Sequence, residues 1–135
     1  MTKTATQPIS TAEQAAPYDY EVIVIGAGVS GIYQIKRLID LGVRATVLDA
    51  NTGLGGTWYN NRYPGARFDS ESYTYGYSFS KEILNEWHWT EQFSPQPETL
   101  RYLNFVVDKL GLRSHMQFGC RVAAMRFDEQ TDTCI

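Results

Sequence analysis

Val22-Ile23-Val24-Ile25-Gly26-Ala27-Gly28-Val29-Ser30-Gly31 decides the fold of this chain. A β-branched apolar run enters a Gly-x-Gly-x-x-Gly turn. An apolar-periodic stretch follows at Ile32, Ile35, Leu38, Ile39 and Leu41. Strand, tight turn and helix in that order open a dinucleotide-binding βαβ unit. Gly26 lets the chain leave the strand sharply. Gly28 presents no side chain to a pyrophosphate, and Gly31 lets the helix lie close to the sheet. The ligand's negative charge then rests over free N–H groups at the helix N-terminus, where the helix dipole favours it.

Glycine spacing alone is common, so the flanking signals matter. Leu41-Gly42 is a helix stop. Arg44-Ala45-Thr46-Val47-Leu48 reads as a second strand ending in Asp49. An acidic residue about 20 positions beyond the glycines is where a ribose hydroxyl is held. The competing reading is an ordinary βαβ unit whose Asp49 merely caps a strand.

The chain has 135 residues, room for one domain or part of one. Hydrophobic residues make up 43% and charged residues 20%, so a packed core is expected. A net charge of −3 offers no basic surplus for a nucleic-acid partner. No stretch has the apolar length of a membrane span, and no apolar signal segment follows Lys3. Cys120 and Cys134 read as free thiols in a reducing, cytoplasmic setting. No histidine has a second one at metal-ligand spacing, so no metal is expected, and His88 reads as a surface or structural residue. Nothing in the sequence marks an oligomeric state.

Residues 1–17 are Thr, Ala, Gln, Ser and Pro with few large apolar groups, and are expected to form a disordered tail. Residues 18–135 then make one partial nucleotide-binding domain. From Ala50 to Ser80 the periodicity breaks, in a stretch dense in glycine and aromatics that is too long for a plain connector. Tyr73, Tyr75, Tyr77 and Phe79 alternate, as on one face of a short strand, with core packing the favoured use of most of these rings. A helical turn is expected near Ile83–Trp87, a proline-punctuated loop at Pro95 and Pro97, and a helix over 98–110 ending at Gly111. Met116–Phe118 and Arg121–Phe127 read as strands, 128–132 as a turn, and Thr133–Ile135 as the opening of another strand. A return strand that stops there leaves an unpaired edge, so the front of a longer protein is expected. There is no second glycine fingerprint and no internal repeat.

The stretch Gly55-Gly56-Thr57-Trp58-Tyr59-Asn60-Asn61-Arg62-Tyr63-Pro64-Gly65-Ala66-Arg67-Phe68-Asp69 narrows the chemistry. A glycine pair lets backbone approach a flat ring, and Trp58 offers an apolar wall. Arg62 or Arg67 could face phosphate or an anionic flavin. Asp69 could hold a cofactor hydroxyl or position an arginine; its plainer use is to cap a turn.

This stretch resembles the flavin-contacting segment of the type I Baeyer–Villiger monooxygenases, class B flavoproteins that use FAD and NADPH. Glu71-Ser72, Tyr75-x-Tyr77-Ser78-Phe79-Ser80, Glu86-Trp87-x-Trp89-Thr90-Glu91 and Leu100-Arg101-Tyr102-Leu103-Asn104-Phe105-Val106 extend the resemblance from Tyr20 onward. It implies an α/β fold: a Rossmann-like FAD-binding βαβ unit with a parallel sheet, part of a flavoprotein with two dinucleotide-binding domains. It also implies site roles. Gly26, Gly28, Ser30 and Gly31 would surround the FAD pyrophosphate, and Asp49 would bind the adenosine ribose. Gly56, Thr57, Trp58 and Tyr59 would run along the FAD, and Tyr75 would contact the isoalloxazine side. Arg67, Phe68 and Asp69 would lie where the nicotinamide end of NADP meets the flavin. Asp69, the residue nearest the chemistry, would pair with an arginine that stabilises a C4a-peroxyflavin anion. The implied reaction uses NADPH and O2 to convert a ketone into an ester or lactone. Alternatives are a non-catalytic FAD-binding fragment and a related flavin enzyme that oxidises nitrogen or sulfur. Asn60 stands where the family usually has a second tryptophan, and Phe68 where it has a cysteine. Asp49 replaces a more common glutamate. The family's second glycine fingerprint, its histidine-bearing signature and its catalytic arginine have no match in this sequence.

Overall fold

A computed structural model describes residues 18–134. The expected tail at residues 1–17 lies outside the described residues, as does Ile135. Val22–Ile25 forms strand β1, Val29–Asp40 helix α1 and Ala45–Asp49 strand β2. Short helices follow at Thr57–Asn60 (α2), Ser72–Tyr75 (α3) and Lys81–Glu86 (α4), then Gln96–Lys109 as α5. A 3₁₀ turn at Leu112–His115 leads into β3, Met116–Phe118. Phe127–Asp128 (β4) and Thr133–Cys134 (β5) close a small hairpin.

The main sheet is parallel, in the order β1-β2-β3. β1 and β2 pair with Val24 opposite Val47, and β2 and β3 pair with Val47 opposite Met116. Ile32 and Ile35 on α1 are fully buried, packing with Val24, Ala45 and Val47 in one core. Burying one such side chain stabilises by about 1.5–3 kcal/mol. Leu103, Val106 and Val107 on α5 belong to the same core. The other sheet face is bare at β1, where Ile23 and Ile25 are 53% and 57% exposed. Parallel strands are usually covered on both faces. Here the described residues leave this second face open at β1 but cover it at β2, where Thr46, opposite Ile23, is 2% exposed. No helix among the described residues is long and apolar enough to cross a membrane.

Three expectations need correction. The alternating Tyr73–Phe79 run is not a strand: Thr74 N–H and Oγ1 both bond the Glu71 carbonyl, at 3.0 and 2.7 Å, and wind the chain into α3. No described strand lies beside it to form a ladder. Arg121–Phe127 is also not a strand. Gly119, at φ +69°, turns the chain off β3. Residues 121–126 are exposed and irregular, and pairing resumes at Phe127. Pro97 is not in a loop but in the first turn of α5, where the missing N–H costs nothing.

The segment between α4 and α5 is held by a buried carboxylate. Glu98, 2% exposed, accepts hydrogen bonds from Ser94 Oγ at 2.7 Å, Thr90 N at 2.9 Å and Thr90 Oγ1 at 3.0 Å. Burial opposes its ionisation, but these bonds and the nearby Arg101 charge outweigh burial and hold its carboxyl below the usual range. A depressed folded value means stability that is present above the unfolded value and lost as pH falls through the folded one. Stability is therefore expected to decline as pH drops below about 4.3. In a Glu98→Gln chain that part of the decline should vanish; urea titrations between pH 6 and 3 measure both.

Candidate functional site

The site is built around Ala27, which is fully buried. Its N–H donates to Asp49 Oδ2 at 2.7 Å, and its carbonyl accepts from Gly55 N at 2.9 Å. One residue thus joins the first glycine turn, the end of β2 and the second glycine turn. Gly26, at φ +97°, makes the turn, and its N–H donates to Leu48 O at 2.8 Å. A Cβ on Gly31 would lie 1.9 Å from Gly26 O, which shows how closely α1 sits on the turn. A Cβ on Gly56 would meet Gly28 Cα at 3.0 Å, so the two glycine turns abut. The expected use of Gly28 was access for a ligand; the structure adds a close backbone neighbour.

Val29, Ser30 and Gly31 form the first turn of α1, whose N–H groups have no partner inside the helix. No acidic side chain occupies that turn, and Ser30 is exposed. Tyr77 anchors the turn from behind: its hydroxyl donates to Val29 O at 2.6 Å. Burial pushes this phenol well above its ordinary pKa and keeps it a donor. Asp49 is 5% exposed, and its Oδ1 accepts from Asn51 N at 2.8 Å and Asn51 Nδ2 at 2.9 Å. A carboxylate has about four lone-pair sites, so one remains for a ligand hydroxyl.

Beyond the glycine turns lies an aromatic wall. Trp58 on α2 is buried, and its Nε1 donates to Tyr75 Oη at 2.6 Å. Phe68 stacks on Tyr75 with centroids 4.4 Å apart and meets Trp58 edge-on at 5.7 Å. The Phe68 ring is 6% exposed, a wall member rather than a surface group.

The candidate residues fall into three sets. Gly26, Gly28, Ser30, Gly31, Asp49, Gly56 and Thr57 converge on the abutting turns. Trp58, Phe68 and Tyr75 form the wall. Arg67 and Asp69 lie apart from these contacts, as does the ring of Tyr59, whose backbone N–H donates to Gly56 O at 3.1 Å. Tyr59 Oη bonds Thr52 Oγ1 at 2.6 Å, and Arg62 stacks over its ring at 4.8 Å. Arg67 bonds Glu91 Oε2 and Phe93 O, both at 3.1 Å. Asp69 is exposed, and its carboxylate bonds no described residue. Arg62 lines an open groove with Arg101 and Asn104 on the α5 side. Among the described residues no cluster of His, Cys, Asp or Glu is arranged to hold a metal.

Sequence reasoning missed three contributors. Asn51 has a local signal, because an Asp commonly bonds the backbone two residues on. Tyr77 and Gln96 have none: their partners are 48 and 38 residues away.

A family model described as an NAD(P)-binding Rossmann-like domain matches residues 24–87. The chain is 42% identical over 114 residues to a Baeyer–Villiger monooxygenase of Pseudooceanicola batsensis, covering 84% of this chain and 21% of that protein. It is 45% identical over 111 residues to the phenazine N-monooxygenase PhzNO1 of Lysobacter antibioticus, covering 82% and 20%. A crystal structure of OTEMO in complex with FAD and NADP superposes with a TM-score of 0.81 at 46% identity, over 85% of this chain and 22% of that one. The chain therefore spans about a fifth of the length of the relatives it matches.

Proposed function

We propose, from the membership of this chain among the Baeyer–Villiger type of flavin monooxygenases, whose N-terminal part it matches, that it forms the FAD-binding part of an NADPH- and O2-dependent enzyme converting ketones to esters or lactones. The observation that carries this reading is the Ala27 junction, where a buried carboxylate and two abutting glycine turns meet the start of α1. A side chain at Gly56 would crowd this cradle, with its Cβ 3.0 Å from Gly28 Cα.

In this reading the first-turn N–H groups of α1 hold the pyrophosphate, with the helix dipole behind them. Asp49 accepts a ribose hydroxyl on its remaining lone pair. Gly56, Thr57, Trp58 and Tyr59 follow the cofactor toward its ring, and Tyr75 backs the ring side. Trp58, Phe68 and Tyr75 exclude water from that end. FAD supplies the redox chemistry and the activation of O2. Arg67, Phe68 and Asp69 take the nicotinamide end of NADPH. Asp69, exposed and without a bond to the described residues, orients an arginine toward the reacting oxygen.

The similarity to a phenazine N-monooxygenase supports a second reading, oxidation at nitrogen. A third is a non-catalytic flavin-binding piece. One experiment separates them. Titrating the chain into FAD should quench flavin fluorescence with one-to-one saturation; a flat titration overturns the flavin reading. NADPH is then added with a cyclic ketone or a heteroaromatic amine, and products are read by mass. An ester supports the ketone reading and an N-oxide the second. Bound flavin with neither product makes this chain by itself a flavin-binding piece without turnover, and the same assay on the whole enzyme of which it is proposed to be the FAD-binding part then separates the two oxidation readings.

A further inference from the structure

Gln96 opens α5, yet its side chain points away from the helix's own bonds. It is 7% exposed, and its Nε2 donates to the carbonyl of Trp58. Its backbone N–H donates to Ala66 O at 2.8 Å, and the adjoining Pro95 forms an antiparallel bridge with Arg67. α2 is a single turn, so its last carbonyls lack helical partners. Gln96 satisfies one of them. The same residue therefore grips the α2 turn with its side chain and the segment leading to Asp69 with its backbone.

We propose that Gln96 is a positioning residue, clamping Gly56–Tyr59 and Arg67–Asp69 in one fixed relation. Its importance for the cofactor rests on the flavin reading above; the clamp itself does not. The acceptor is a carbonyl oxygen, so the clamp needs an N–H at this point. Glutamate has the same shape but turns a lone pair toward a lone pair. Methionine fills the space without donating.

The test uses the whole chain with Gln96→Met and Gln96→Glu. Amide hydrogen exchange at Asn60 and Asn61 should rise about tenfold in Gln96→Met and more in Gln96→Glu, with α1 and β2 unchanged. FAD affinity should fall about tenfold, with the bound-flavin absorption band displaced and the stoichiometry kept. Glu98→Gln is the control: it weakens a neighbouring buried network without touching the clamp, and should leave the band in place. Uniformly faster exchange across the chain, or no change at Asn60 and Asn61, overturns the clamp. Wild-type FAD affinity and band in both variants overturn its role for the cofactor while the flavin reading stands. If wild type takes up no FAD but exchange behaves as expected, the flavin reading falls and the clamp stands. Should both variants fail to fold, wild type still decides. The amides of Gln96, Asn60 and Asn61 must open together, and exchange rates that differ more than tenfold reject the clamp.

Discussion

Gly31→Ala is expected to destabilise the chain by about 2 kcal/mol or more and to abolish flavin binding. Alanine at a helical position normally gains about 1 kcal/mol over glycine. Here the added Cβ would sit 1.9 Å from Gly26 O and 3.0 Å from Gly26 C. Both are backbone atoms of the turn, so no side chain can swing aside. Either α1 lifts off the sheet or the turn opens, and both displace the N–H groups that the proposed reading gives to the pyrophosphate. Gly28→Ala is the contrast. Its Cβ would meet Gly56 Cα at 3.5 Å, an ordinary contact, and Gly28 has φ −82°. That variant should keep nearly wild-type stability and still lose FAD, because in the proposed reading the pyrophosphate passes over Gly28 and the methyl stands in its way. Urea denaturation and flavin titration of both variants check the pair of outcomes. Stable Gly28→Ala with unchanged FAD affinity would show that the ligand does not pass over this turn.

Asp49→Ala is expected to cost about 3–5 kcal/mol and more than a hundredfold in FAD affinity. The carboxylate accepts from Ala27 N, Asn51 N and Asn51 Nδ2 while 5% exposed. Hydrogen bonds to a charged group contribute about 1.5–3 kcal/mol each, and the buried Ala27 N–H would lose its acceptor. Asp49→Asn separates structure from binding. It keeps one oxygen but sets an NH2 against a donor on one side, so an intermediate loss of about 2 kcal/mol is expected. If Asp49→Asn is destabilised yet binds FAD as wild type does, the residue only braces the turn. Chemical denaturation with flavin titration, run at a temperature where every variant is folded, makes the comparison.

Much of the nucleotide half was legible because its signals are short-range. The β-branched run, the glycine spacing, Leu41-Gly42 and Asp49 lie within one continuous segment. The α5 helix was legible by its period, though its start came two residues early because Pro97 suits a first turn. The aromatic middle was not legible. Tyrosines at alternate positions satisfy a strand pattern, but the Glu71–Thr74 bonds wind Ser72–Tyr75 into a helical turn, and no strand among the described residues pairs with Tyr77–Phe79. Arg121–Phe127 misled as well. An apolar run becomes a strand only where a partner edge exists, and Gly119 carries it away from β3.

The sequence by itself determined the βαβ opening, the parallel sheet class and the kinship with flavin monooxygenases. Those depend on local backbone sterics and on residue order. Only the tertiary structure decided that Gly28 abuts Gly56, that Phe68 is buried in the wall while Asp69 is exposed, and that Gln96 bonds Trp58. These outcomes come from packing between residues far apart in the chain, where many partners satisfy the same hydrogen-bonding need and geometry selects one.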